Sequence, residues 1–407
     1  MNAQRLETSR LLHRFGFGPR PGEYAQALID GVAATRSKVL TVPPVDAGAA
    51  KVVEPEMTDL GPRPKPNTAE IVPFAIAMRY QTQQMVVWWL DRMAASDHGL
   101  TERMTWFWHG HWATSVDKLN YPLPMFKQNK TMRATCLGNF ATMTKAMIND
   151  GALQFWLDGQ DSTLKAPNEN LGRELMELFT LGVGRYTEDD VKSISRSLTG
   201  YQVNRSSGVV TINQNRRDKN PVNLLGTTAV FTGDTLADFL VARDDSAKFV
   251  AERLWYRFVS STEDMPASFT AKSAFASRDI SAAVAAMAND SAMRDEKYPM
   301  VKAPVEWFIA ACRALELTPS QLKTPAQMIN FLEKLGQVPF YPPNVGGWPA
   351  GEAWLSSATA QYRISFATWL IKQSELRVLK SLTPAQRMLQ SADWLGVAEW
   401  SPRTKNA

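Results

Sequence analysis

The chain has little cysteine and little histidine, two of the first and four of the second in 407 residues. Cys136 and Cys312 are too few for a disulfide framework and wrongly spaced for a zinc ribbon, so buried free thiols are expected. Long apolar runs are also lacking. The most apolar window, "IVPFAIAMRYQTQQMVVWWL", is interrupted by Arg79 and by glutamines, well short of the ~18 uninterrupted apolar residues of a membrane span. The N-terminal "MNAQRLETSRLLHRFGF" has neither an apolar h-region nor a small-residue cleavage site, which reads as a soluble, cytoplasmic protein. Charge of one sign is missing too. Lys and Arg number 45 against 40 Asp and Glu, for a net charge of +5. Spread along the chain, that balance lacks the basic stripe of a nucleic-acid-binding surface.

Strand alternation is nearly absent. Only "YQVNRSSGVVTINQN" looks like a hairpin, no βαβ alternation supports a Rossmann or barrel fold, and no solenoid repeat is present. What is there is helical periodicity. A first helix is expected in "GEYAQALIDG", then helices from Thr68 to Ser96 and from Thr101 towards Gly110. Further runs are Tyr121–Asp150, Asn168–Gly182, Thr187–Gly200, Thr235–Ser261, Ser277–Ala288, Val301–Leu315, Pro325–Leu335 and Ser356–Glu375. The expectation is an all-α protein: one large multi-helix domain over residues 1–375, with long irregular loops and at most one small β-hairpin. Residues 41–68 form a Pro/Gly-rich excursion and 201–234 a hairpin and loop insertion, while 376–407 make a C-terminal helical extension ending in a loose tail.

Two helix starts are marked by their chemistry. Asn168 follows Pro167 as an N-cap. Thr187 caps a helix whose first turn carries Glu188, Asp189 and Asp190, all favourable at the positive dipole end.

The candidate chemistry centres on "ERMTWFWHGHW", Glu102 to Trp112. At 100° per residue Glu102 and His109 share a helix face, whereas His111 points about 200° away from His109. The two histidines converge only if Gly110 ends the helix, and then His-x-His is a legitimate metal-ligand spacing. Packed, hydrogen-bonded imidazoles amid tryptophans are the competing reading. In "NENLGRELMELFTLG", Leu171, Leu175 and Leu178 line one face. Glu174 lies at the edge of that face, where a carboxylate needs a partner or a proton. Arg173 and Glu177 suit an exposed i, i+4 pair. Two further loops are rigid: "LLHRFGFGPRPGE", with His13 ahead of the glycines, and "YPPNVGGWPAGEAWLSS", with Asn344 and Trp348.

Taken together, "LLHRFGFGP", "ERMTWFWHGHWATS", "NENLGRELMELFTLGVGRYTEDDVKSISRSLTGY" and "YPPNVGGWPAGEAWLSS" make the chain resemble the DUF1800 family over nearly its whole length. The stretches "KFVAERLWYRFV" and "VKAPVEWFIAACRAL" are similar to it as well. The resemblance implies a mostly helical single-domain protein whose relatives are often exported and often encoded beside a sulfatase-like partner, and it brings no reaction. The family pattern carries over to His13, Glu102, His109, His111, Asn168, Glu169, Asn170, Arg173, Glu174, Glu177, Asn344 and Trp348. Phe179 stands where many relatives have histidine, and "NQNRRDKNPVNLLG" lacks the His-Asp pair that many carry.

The resulting expectation is a metal-dependent enzyme, a hydrolase ahead of an oxidoreductase. In it, His109, His111 and His13 hold a divalent ion and Glu174, Glu102 and Arg173 serve catalysis. Trp108, Trp112, Asn168, Asn170, Asn344 and Trp348 then contact a small-molecule or saccharide-like substrate. The alternative is a non-enzymatic helical binding or assembly partner, in which the same residues form a buried polar network that fixes one packing.

Overall fold

The computed structural model describes residues 2–267, 269, 275 and 277–405. Over these the protein is mostly α. Its longer helices are α1 (Ala3–Arg14), α2 (Glu23–Asp30), α3 (Val32–Leu40), α4 (Ile71–Ala95), α5 (Leu100–His111), α6 (Pro122–Thr135), α7 (Phe140–Ile148) and α8 (Glu169–Glu174). After them come α9 (Glu188–Ser197), α10 (Gly233–Ala242), α11 (Asp244–Phe258), α12 (Ile280–Asn289), α13 (Pro304–Ala314), α14 (Pro325–Lys334), α15 (Ser357–Ile371) and α16 (Pro384–Trp394). No helix among the described residues is long and apolar enough to cross a membrane.

Local chemistry accounts for the boundaries that periodicity misplaces. The first helix is α1, not α2, because the Asn2 side chain accepts the Arg5 N–H and starts a turn that the apolar pattern does not announce. The run expected over Tyr121–Asp150 is two helices, the second restarted by Asn139, whose side chain caps the Ala141 N–H. The run over Thr235–Ser261 is also two. Arg243 sits at φ −70° and ψ 144° between α10 and α11, an extended conformation inside an otherwise helical pattern. The expected caps are present: Asn168 accepts the Asn170 N–H, and Thr187 forms a reciprocal capping box with Asp190.

Among the described residues there are two hairpins rather than one. Strands β1 (Tyr201–Val203) and β2 (Val210–Ile212) pair antiparallel with Tyr201 opposite Ile212. Strands β3 (Val222–Leu224) and β4 (Thr227–Ala229) pair with Val222 opposite Ala229. The second turns through Leu225 at φ 51° and Gly226 at φ 82°, two left-handed residues in a row as a two-residue hairpin turn requires. Leucine is a poor sequence signal for that conformation. It is held there by Asp190, whose carboxylate accepts the Leu225 N–H at 2.6 Å.

The core lies on both sides of α5. Leu100, Met104, Phe107 and Trp108 pack into one apolar cluster with α6, α7, α9 and α11. Trp106 packs into another with α4, α13 and the 338–354 loop. Ten of the twelve residues of α5 are buried, including Glu102, Arg103, Thr105, His109 and His111. A helix buried all round is normally apolar all round, so every polar group on α5 needs an internal partner.

Candidate functional site: a buried polar helix and the basin beside it

Each buried polar side chain of α5 makes at least one internal hydrogen bond, and the Nδ1 of His111 is the one atom among them left buried without a partner among the described residues. Glu102, 1% exposed, accepts from Arg92 Nε at 2.9 Å, Arg133 Nε at 2.8 Å, Arg133 Nη2 at 3.0 Å and Trp89 Nε1 at 3.0 Å. Burial pushes its carboxyl up, but the guanidinium groups of Arg133 and Arg92 outweigh burial and hold it below the usual carboxylate range. Arg103 pairs with Glu306 and donates to the Arg14 carbonyl at 3.0 Å. Thr105 donates to the Thr101 carbonyl at 2.8 Å.

The two histidines diverge because α5 continues through Gly110 to His111. His109 Nε2 accepts the N–H of Phe340 at 3.0 Å, with Trp89, Trp106, Phe340 and Trp348 around its ring. His111 Nε2 faces the Phe179 carbonyl at 2.9 Å, amid Phe107, Trp108, Phe140 and Phe249. A carbonyl only accepts, so His111 carries its proton on Nε2, whereas His109 must leave Nε2 bare and carry it on Nδ1. Burial pushes both imidazoles down to about 3. His109 also holds a strained backbone, since Phe340 sits at φ 69°, a costly conformation for a bulky residue.

His13 is elsewhere. Its Nε2 lies 2.9 Å from the Leu395 carbonyl and 3.4 Å from Lys302 Nζ, and it is kept neutral by burial and then by Lys302. The expected trio of His13, His109 and His111 is therefore not a ligand set. Among the described residues no group of three His, Cys, Asp or Glu stands close enough to hold a metal ion. Cys136 and Cys312 are buried free thiols, pushed up by burial and inert as nucleophiles.

The second motif departs from a plain helix. After α8 the chain widens into a π-helix over Leu175–Thr180, a form frequent at functional sites. Arg173 does not pair with Glu177. It forks onto Glu188 through two 2.8 Å bonds and reaches Glu169 at 3.2 Å. Glu177 accepts the hydroxyl of Tyr186 instead. Glu174 is half-buried with no hydrogen bond or ion pair among the described residues, and its carboxyl is raised by burial and then by Glu177. It is thus at the apolar boundary, as the helical angle indicated.

The remaining residues of the expected site make the following internal contacts. Trp108 Nε1 donates to the Cys136 carbonyl at 2.8 Å. Trp112 packs on Phe179 with ring centres 4.7 Å apart. Asn168 and Asn170 belong to the start of α8, and Asn344 closes its own turn by accepting the Gly346 N–H at 2.9 Å. Trp348 stacks on Trp106 at 5.1 Å and borders a sizeable basin.

That basin, about 1000 Å³, lies between α11, the 260–267 stretch and the Gly346–Trp348 turn. Phe249, Arg253, Tyr256, Arg257 and Trp348 are among its walls. Arg257 is anchored to the carbonyls of Trp348 and Pro349. Arg253 makes no hydrogen bond or ion pair with any described residue, its Nε is fully buried and unpartnered, and burial lowers its pKa. Periodicity on its own passes over this wall. The signal in "AERLWYRF" is two arginines at i, i+4, a like-charge spacing that destabilises a helix unless something else answers it.

A family model for proteins of unknown function, DUF1800, matches residues 10–407. The chain belongs to the DUF1800 family. No curated protein and no solved structure matches it. Of the residues that the resemblance singles out in this DUF1800 chain, Glu102, His109 and His111 lie on the buried α5, and Asn168, Glu169, Asn170, Arg173, Glu174 and Glu177 lie at α8 and the π-helix that follows it, while His13, Asn344 and Trp348 lie in other segments.

Proposed function

We propose that this protein is a helical binding partner rather than a metal-dependent hydrolase, and that the α5 network fixes a single packing around the α11 basin. The observation that supports this reading is the internal engagement of α5: Glu102 takes four hydrogen bonds, and His109 and His111 each hold a backbone group in opposite tautomers. Groups so engaged specify a core. To bind a metal or take a proton through Nε2, His109 would first have to release the backbone of Phe340, whereas His111 keeps a bare, buried Nδ1 beside its bond to Phe179. A protein of this kind serves a second component, and the sulfatase-like partner implied by the family resemblance is compatible with it.

The test is elemental analysis of the purified protein alongside His109→Ala with His111→Ala. We expect no stoichiometric metal in either. A stoichiometric divalent ion present in the native chain and lost with the double substitution overturns the reading.

Hydrolysis has one observation in its favour, and it lies away from the histidines. Glu174, whose carboxyl is raised by burial and then by Glu177, and Glu177 itself, hydrogen-bonded to Tyr186, form a carboxyl pair in unlike environments where α8 passes into the π-helix. Such pairs divide acid from base work. Turnover of chromogenic glycosides, esters or sulfate esters that vanishes in Glu174→Gln would establish this second reading over the first.

A further inference from the structure

We propose that Arg253 is the anchoring group of a ligand site in the α11 basin, and that the ligand it takes is a singly charged carboxylate. This rests on the binding reading above and names what is bound. Arg253 is a wall of a cavity large enough for a small molecule or a chain end. Arg253 makes no hydrogen bond or ion pair with any described residue, and its buried Nε is unsatisfied, a donor that a ligand in the basin would complete.

The neighbouring acids do not answer it. Glu252 is held by Arg185 at 3.6 Å and Lys248 at 3.8 Å, Asp245 by Arg243 at 3.3 Å, and Glu263 by Lys297 at 2.9 Å. Arg257, one turn further along α11, is committed to the Trp348 and Pro349 carbonyls and fixes the opposite wall.

The planar fork of a guanidinium matches both carboxylates and phosphates. The rim decides between them. Asp244, Asp245, Glu252, Glu263 and Asp264 border the basin against Lys248, Arg253 and Arg257, five acids to three cations, so a phosphate dianion meets a rim of net negative charge. A monoanion that carries hydroxyl or amino groups finds acceptors there as well as its cation. Phe249 and Tyr256 supply apolar walls for the rest of such a molecule. The carboxylate can come from a sugar acid or from a peptide C-terminus.

The experiment follows the arginine side-chain Nε–H resonances of the full-length ¹⁵N-labelled protein, with Arg253 assigned by the signal lost in Arg253→Lys. Glucuronate is titrated against glucose, a short peptide with a free C-terminus against its amide, and inorganic phosphate separately. A saturable Arg253 shift with glucuronate or the free peptide, absent with glucose or the amide, is expected, and the arm that responds identifies the source. A shift with phosphate alone, or none with any probe, overturns the proposal. Arg253→Gln adds a second readout: its melting midpoint should equal or exceed that of the native chain, because an unpaired cation is removed. A midpoint lowered as far as that of Glu102→Gln would make Arg253 a structural residue and also overturn the site. A metal found at His109 and His111 would sink the binding reading without moving the Arg253 signal, so the two failures are separable.

Discussion

A Cβ added at Gly347 would stand 2.2 Å from the carbonyl oxygen of Gly110, on a backbone already at φ 79°. The loop and the helix touch backbone to backbone at that point. Next door, Trp348 stacks on Trp106 and borders the ring of His109. Gly347→Ala should therefore cost about 3 kcal/mol or more, from the left-handed conformation and the collision together. Gly110 itself is a different case. Its own added Cβ meets only the Trp348 ring at 4.0 Å, and it lies inside α5, so Gly110→Ala should be neutral or stabilise by up to about 1 kcal/mol through helix propensity. Urea unfolding of the two variants checks this. Equal destabilisation would mean that the close approach is not where the strain lies.

Glu102→Gln should be among the most damaging single changes, about 3–5 kcal/mol, because it leaves Arg92 and Arg133 buried without their counter-charge. The pH signature follows from the lowered carboxyl. Its stabilising contribution is fully present above the ordinary carboxylate pKa and is lost as pH falls through the lower folded value. Acid titration of stability should thus fall more steeply below pH ~4 in the native chain than in Glu102→Gln. Parallel curves would refute the ion network as the source.

The histidines predict a second window. Both fold to about 3 from an ordinary 6.5, so between those values the unfolded chain binds more protons than the folded one. Stability from each is complete above about 6.5 and declines by roughly 1.4 kcal/mol per pH unit below it, until the folded value is reached. The unfolding free energy between pH 6.5 and 4.5 should fall with the summed slopes of His109, His111 and the likewise lowered His13, and by about 1.4 kcal/mol per pH unit less in either single His109→Gln or His111→Gln variant. Long-range ¹⁵N–¹H spectra at pH 7 should show His109 protonated on Nδ1 and His111 on Nε2. The same tautomer at both would contradict the Phe340 and Phe179 contacts.

Helices were largely legible because their apolar faces are periodic, and the caps at Asn168 and Thr187 because their chemistry is local. The site was legible only as a meeting of segments. The segments of His13 and of Glu102–Trp112 touch through Arg14 and Arg103, and His111 reaches Phe179, just beyond the 168–177 stretch. Their histidines do not, since α5 runs on through Gly110 and sends His109 and His111 into opposite halves of the core. A glycine that permits a helix end does not impose one, and here its use is the approach of Gly347. Arg253 left almost no trace in the sequence, because an arginine without a partner is a property of the packed structure around it.

The C-terminal residues supply the last prediction. Helix α2 begins at Gly22, which has no side chain to cap it, yet the free N–H groups of its first turn are not left open. The carboxylate of Asp393, at the end of α16, accepts the N–H of Gly22 at 2.8 Å and of Ala25 at 2.6 Å. A residue some 370 positions away thus does what an N-cap aspartate does locally. Ser9 donates to the Gly396 carbonyl at 2.5 Å and Arg5 to the Ala398 carbonyl at 2.8 Å, closing the same seam. Asp393→Ala should cost about 1 kcal/mol, the ordinary value of a lost cap, and should raise amide exchange selectively in Gly22–Ala27 and in residues 384–398. Exchange that rises along α16 alone would show that the C-terminal segment docks without capping α2. No change in either would remove Asp393 from the seam altogether.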